Sequence, residues 1–333
     1  MQERGAILAV MVAVLAPASI LAQGVLTPPV TPTDQTEILF AAQAPDSEKD
    51  ETGKPALATF EPIGFVTGGG LRECYSTGSQ KQQDAVTKFV TGRLNRAYAP
   101  GSHYTLWAHG VPYGQATAVG VCFDEDIDFN GCFRFEGPSP STPVPLGFHG
   151  IAISGKVPSS THAPVFSKAD KQEQTTFISF AVKSLAEHKV HVTASQVRAK
   201  EINRTQLRAG HIALVGSVLV QLPAREPKTY NSYRMFLVIE EDNGVYSTVL
   251  SSFHESTAFL DGGETTPKPD VELDLDEENG TDIETFLDSF PLFPGEPDVV
   301  ISQHRYYEDW NFWVYRREGA AYRVIYSGCG GGD

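Results

Sequence analysis

Positive charge is in short supply: 26 Lys and Arg stand against 41 Asp and Glu, a formal net charge of −15 over 333 residues. A polyanion of this kind repels phosphate backbones and anionic lipid, which argues against nucleic acid and charged membrane surfaces as partners. Long apolar runs are missing after the first 22 residues, so the mature chain is not expected to span a membrane as a helix. Cysteine is scarce, four residues with no CxxC, and the usual redox and zinc-knuckle spacings are therefore absent. No GxSxG marks a nucleophile. The glycine triplets 68–70 and 330–332 lack the flanking pattern of a dinucleotide or phosphate loop.

The N-terminus is the clearest positive signal. Arg4 is followed by the unbroken apolar run Gly5 to Ala16, then Pro17 and Ser19-Ile20-Leu21-Ala22. Charge, apolar stretch and small residues in that order make a secretory signal peptide, 1–22, too short for a bilayer span of roughly 30 Å. A core helix, the alternative, would interleave polar residues. The chain is accordingly expected to be secreted or periplasmic. About 310 residues remain, enough for one large domain or two ordinary ones. Export also makes disulfides the default for Cys74, Cys122, Cys132 and Cys329. Cys122 and Cys132 flank a hairpin turning near Asn130-Gly131 and are expected to face each other, which leaves Cys74 with Cys329 by elimination.

The fold class reads as mainly β with two helices (α+β), built as two sheet-containing units of antiparallel hairpins. Residues 23–55 are rich in Pro, Thr, Asp and Ala and read as a flexible linker, although Ile38-Leu39-Phe40 is an apolar patch able to dock. The N-terminal unit, 56–165, holds a strand Thr59–Val66, an amphipathic helix Ser79–Tyr98 with Ala85, Val86, Phe89, Val90 and Leu94 at helical spacing, and several short strands. The C-terminal unit, 166–333, opens with a helix from Ser167 to His188, Ser167 reading as its N-cap and Phe177, Ala181 and Leu185 as its buried face. Strands follow at Val190–Ala194, His211–Leu222, Tyr233–Glu240, Val245–Phe253, Asp298–Ser302, Asn311–Arg316 and Tyr322–Tyr326. Phe236 to Tyr246 aligns with Phe312 to Tyr322, so an internal repeat is expected over about 197–253 and 271–328; two hairpins alike only in composition are the alternative.

Eleven Asp or Glu and a single Lys lie between Asp261 and Asp288. Within this stretch Asp274, Asp276, Glu278, Asp282 and Glu284 place hard oxygen ligands around Gly280, as a calcium loop requires. The segment resembles the DxDxDG loop plus β-hairpin of secreted bacterial FG-GAP or VCBS-like repeat proteins, over about 271–328. That resemblance implies a calcium-stabilised loop ahead of a strand and hairpin. Extra residues separate Asp276 from Gly280 and Glu284, and the earlier copy has almost no carboxylates. A solvated acidic loop is the alternative. Asp124, Asp126 and Asp128 form a second cluster that suits a hard cation or a solvated hairpin tip.

The nine histidines are scattered. The HxxH of His188 and His191 straddles a helix end and a strand start, which does not suit a shared zinc. Aromatics crowd the last thirty residues, among them Phe312, Trp313, Tyr315, Tyr322 and Tyr326, and read as a final sheet in preference to a binding platform. The expected function is a non-catalytic binding or structural module, with calcium as the one candidate cofactor. The alternative is a secreted hydrolase with a dispersed site. It requires a Ser, His254 and a carboxylate within hydrogen-bond reach.

Overall fold

The computed structural model describes residues 37–45, 49, 53, 56–67, 70–72, 74, 78–121, 131–137, 146–154, 165–224, 229–259, 283–293, 295–305 and 309–332. Its first strands are β1 (Glu37–Gln43), β2 (Ala58–Thr67), β3 (Gly70–Arg72), β4 (His103–Ala108), β5 (Val111–Val121), β6 (Gly131–Glu136) and β7 (His149–Ile153), with α1 (Gln80–Ala97) between β3 and β4. β1 pairs with β7 on one side and β2 on the other, so the order β1-β7-β4-β5-β6-β2 closes on itself into a six-stranded antiparallel barrel, with β3 appended to β2. β1 lies inside the segment read as a linker; its Ile38, Leu39 and Phe40 are fully or almost fully buried, and closing the barrel is what they do there. Aromatic rings fill the inside: Tyr104 meets Phe40 and Phe60 edge-on at 5.6 and 5.4 Å. α1 sends Phe89, Val90, Leu94 and Ala97 into the same cluster and so plugs the barrel. Ser79 starts α1 by a capping box, the Gln82 side chain accepting from the Ser79 backbone N–H at 2.8 Å.

The second half begins with β8 (Phe166–Lys168) and α2 (Lys171–Glu187), then runs through β9 (Arg198–Arg208), β10 (His211–Pro223), β11 (Thr229–Asp242) and β12 (Val245–Phe259). These strands form a five-stranded antiparallel sheet in the order β12-β11-β10-β9-β8. Asp170, not Ser167, caps α2: its carboxylate accepts from the N–H groups of Gln172 and Glu173 at 2.8 and 2.9 Å, while Ser167 pairs in β8. A carboxylate at the N-cap also meets the positive end of the helix dipole, which a Ser hydroxyl does not. Phe177, Ala181 and Leu185 make the buried face of α2 as the 3.6-residue period requires. Residues 190–193 form no strand and lead into a single 3₁₀ turn, Ala194–Gln196.

β13 (Ile283–Phe290), β14 (Val299–Arg305), β15 (Asp309–Glu318) and β16 (Ala321–Gly332) form a third sheet, an antiparallel meander in chain order. Successive side chains in a strand point to opposite faces, and this sheet uses both. Val299, Ile301, Phe312, Val314 and Tyr326 pack on Leu39, Ile63, Trp107 and Ile151 of the barrel. Val300, Trp313, Tyr315 and Tyr322 pack on Val215, Phe236 and Val238 of the second sheet. The layers therefore run barrel, third sheet, second sheet, α2. Residues 36–333 form one compact unit, in which 283–332 touch both the barrel and the second sheet.

Both β9–β12 and β13–β16 are four-stranded meanders ending in tight hairpins at Asn243-Gly244 and Gly319. Of the residues aligned above, Phe236 faces the third sheet while Phe312 faces the barrel. The two meanders are thus stacked facing the same way, not mirrored across their interface. Sheets covered on both sides demand long apolar strands, which accounts for the eight consecutive buried residues Ala213–Val220 of β10.

Barrel and third sheet meet most closely where β2 crosses β16. A Cβ on Gly328 would lie 2.4 Å from the Ile63 carbonyl, so only glycine fits there, and one on Gly64 would press on the end of the Tyr326 ring at 2.9 Å. Beside this crossing Cys74 and Cys329 form a buried disulfide, Cα atoms 5.2 Å apart across 255 residues of sequence. Cys132 is also disulfide-bonded; Cys122, its expected partner, lies outside the described residues.

Candidate functional site

The interface between the second and third sheets has an apolar half and a polar half. The polar half arises because alternate residues of facing strands carry polar side chains: Ser252, His254 and Ser256 on β12, Arg234 on β11, Glu284 on β13, and Ser302 and His304 on β14. Cross-strand register brings Arg234 opposite His254 and Glu284 opposite His304. Glu284 is the centre of the cluster, 3% exposed. Its Oε1 accepts from the Ser302 and Tyr315 hydroxyls at 2.6 and 2.5 Å. Its backbone carbonyl accepts from the Ser217 hydroxyl of β10, a link between the two sheets. Oε2 has no hydrogen-bond partner, and His254 Nε2 stands 3.7 Å from it. Burial pushes the Glu284 carboxyl up, but contacts with His254, Ser252, Ser302 and Tyr315 outweigh it and hold the group below the usual carboxylate range. Facing that carboxylate, the Tyr315 hydroxyl is pushed well above its ordinary value, by burial first and by the Glu284 charge second.

A shallow, narrow recess opens onto this cluster, lined by Ser217, Arg234, His254 and Glu284 among apolar neighbours. A second narrow recess shares Ser217 and Ile283 with it and continues toward Lys200, Glu201, Asn203 and Thr285. Two histidine rings, His254 and His304, sit 4.4 Å apart, and Trp313 meets His304 edge-on at 5.0 Å. Among the described residues no group of three or more His, Cys, Asp or Glu is arranged to hold a metal ion.

Ser252 Oγ lies 3.1 Å from His254 Nε2, so a Ser, a His and a carboxylate do come together. Their arrangement is not a proton relay. In a relay the hydroxyl and the acid occupy different ring nitrogens, so the acid orients the imidazole that takes the hydroxyl proton. Here Ser252 and Glu284 both face Nε2.

Two further polar clusters fasten the layers. At the hairpin end of the same interface, buried Glu240 of β11 binds Arg208 of β9 at 3.0 Å and Arg317 of β15 at 2.8 Å. Between third sheet and barrel, the Asp288 carboxylate of β13 accepts from the N–H groups of His109 and Gly110, in the β4–β5 turn, at 2.8 and 3.2 Å, and from Ser289 N–H at 2.7 Å. Burial raises Asp288 to about 7 despite those three donors.

Of the residues singled out in the sequence, Asp274, Asp276, Glu278 and Asp282 lie outside the described residues, as do Asp124, Asp126 and Asp128. Glu284 belongs to β13, with its side chain turned into the sheet interface toward Ser302 and Tyr315. Phe312, Tyr315, Tyr322 and Tyr326 are buried, as a final sheet requires. Sequence reasoning passed over Arg234, Ser302 and His304. Their signal was the alternation Ser252-x-His254-x-Ser256 and Ser302-x-His304, polar residues recurring at period two on strand faces the fold buries.

No family model, no curated protein and no solved structure matches this chain.

Proposed function

We propose that this protein is an exported, non-catalytic binding module whose ligand enters the recess between the second and third sheets. The observation that carries the reading is the buried Glu284 carboxylate, one oxygen saturated and the other without a hydrogen bond at the recess wall. An unsatisfied buried acceptor costs about 1–3 kcal/mol, which a ligand donor offsets. Export rests on the Arg4 to Ala22 signal pattern and agrees with a buried disulfide. The acidic stretch 261–282 adds a calcium-stabilised loop to the proposal, on its ligand spacing alone.

The test is a thermal-shift screen of chemically diverse small molecules on wild type, Glu284→Gln and His254→Gln. Binding to the folded state at a hundred times Kd adds about 2.7 kcal/mol of stability, so a ligand stands out clearly. Compounds that stabilise wild type and lose their effect in both variants support the reading. A screen in which the variants respond as wild type does removes the recess as the site. Labelling of Ser252 by a fluorophosphonate, with turnover of an activated ester, overturns the non-catalytic reading in favour of a hydrolase.

A further inference from the structure

Among the described residues, the face of the second sheet turned away from the recesses is covered over part of its length only. α2 packs on it through Phe177, Ala181 and Leu185 and ends at its C-cap, His188. Past that end, strand alternation brings Asn231 and Tyr233 of β11 to the same face as the buried Met235. Cross-strand register sets Thr257, Glu255 and Phe253 of β12 opposite those three. His188, Glu255 and Thr257 are exposed, while Asn231, Tyr233 and Phe253 are half-buried. Two kinds of order run through this patch. Its rings lie nearly parallel: His188 stacks on Phe253 with centroids 4.1 Å and planes 11° apart, and Tyr233 follows Phe253 at 6.3 Å and 18°. Its polar groups form a chain: the Thr257 hydroxyl donates to Asn231 Oδ1 at 3.0 Å, and Asn231 Nδ2 donates to the Tyr233 hydroxyl at 3.1 Å.

We propose that this patch is a carbohydrate-binding surface, taking a neutral oligosaccharide whose sugar rings lie along the aromatic row and whose hydroxyls bridge Asn231, Thr257 and Glu255. It occupies the opposite side of the second sheet from the recess and stands without the reading given above. A ligand here must offer both an apolar face for the rings and polar groups that donate and accept. The side-chain chain fixes the Asn231 amide yet leaves it one N–H and one oxygen lone pair, and the Tyr233 hydroxyl keeps its own proton to give. Groups held in place before binding lose little freedom on contact, which favours a ligand that meets several of them weakly. Glu255 accepts only. An extended or proline-rich peptide offers mainly carbonyl oxygens to such a surface and sets lone pairs against that carboxylate, whereas a sugar hydroxyl turns its proton toward it. Charged glycans and phosphates meet Glu255 and a net charge of −15, so the ligand class is neutral.

The full chain is probed on an array of neutral gluco-, manno-, galacto- and N-acetylglucosamine oligomers, with sulfated and uronic acid glycans and proline-rich peptides printed beside them. Isothermal titration with the best neutral oligomer then compares wild type with His188→Ala, Asn231→Ala and Glu284→Gln. At least one neutral oligomer is expected to bind. His188→Ala and Asn231→Ala, each removing a ring contact or a hydrogen-bonding group, are expected to weaken it by about tenfold. Glu284→Gln, at the recess, is expected to leave it unchanged, which separates this surface from the recess whatever becomes of the latter. His188 is an exposed cap residue, so its variant keeps the test open should Asn231→Ala disturb the β11–β12 pairing. An array on which no neutral glycan binds overturns the inference. So does binding that both variants leave intact, or a preference for the charged glycans or the proline-rich peptides.

Discussion

Asp288→Asn is the most informative single change for stability, because its effect has a sign that depends on pH. In the folded chain Asp288 is fully enclosed between the β4–β5 turn and the third sheet, and its carboxyl is raised to about 7. In the unfolded chain an aspartate titrates near 3.9. Between these values the folded state holds a proton that the unfolded state has released, so stability falls as pH rises through that window and levels off above it. About three units of difference correspond to about 4 kcal/mol of destabilisation at pH 8 relative to pH 4. Asparagine does not ionise and escapes this cost. It brings a fixed one instead, since its amide has only one acceptor oxygen for the three N–H groups of His109, Gly110 and Ser289, and an unmet donor costs about 1–3 kcal/mol at every pH. The difference in unfolding free energy, variant minus wild type, should therefore climb by about 4 kcal/mol from pH 4 to pH 8. It should be negative at the acid end and positive at the alkaline end. Urea unfolding of both proteins at unit pH steps measures it. Taking the difference cancels the opposite trend of groups such as Glu284 and Glu296, whose carboxyls are held low and lose their contribution as pH falls. A difference that stays flat across the range would refute the claim that Asp288 is buried with a raised pKa.

Glu240→Gln leaves Arg208 and Arg317 without their shared carboxylate at the sheet interface; a loss of roughly 3 kcal/mol in urea unfolding is expected, and a loss under half a kcal/mol would mean the triad is screened as a surface pair is. Non-reducing peptide mapping is expected to find Cys74 joined to Cys329 and Cys122 to Cys132, and Cys329→Ser to cost about 2–5 kcal/mol; free thiols at any of these positions contradict the pairing. Millimolar calcium is expected to raise the melting temperature through the acidic stretch 261–282; identical melts with calcium and with chelator would dismiss the ion.

Elements with strong local signals were legible in the sequence: α1 from its apolar period, α2 from the Phe177, Ala181 and Leu185 face, and the strand pairs that flank the Asn243-Gly244 and Gly319 turns. Strands whose character is set by distant contacts were not. β9, RAKEINRTQLR, looks like a solvated charged segment, yet Arg204 is tied to Glu173 of α2 and Arg208 to Glu240. β13 was concealed within an acidic run because two of its carboxylates, Glu284 and Asp288, are buried and hydrogen-bonded instead of solvated. The candidate site suffers most from this, since it is assembled from six strands and no two of its charged members are adjacent in sequence. A buried carboxylate and an exposed one read identically until the partner strands are known.

The layer in the middle of the molecule comes last in the chain. Residues 283–332 fill the space between a barrel and a sheet encoded before them. A chain that emerges N-terminus first therefore presents two apolar walls at once: Leu39, Ile63, Trp107 and Ile151 on the barrel, and Val215, Phe236 and Val238 on the second sheet. Neither wall is covered until the final meander slides between them, and exposed surfaces of this kind invite association with other copies. Truncation ahead of residue 283 thus removes the filling of a sandwich and leaves both outer slices sticky, a far heavier consequence than the loss of an edge strand.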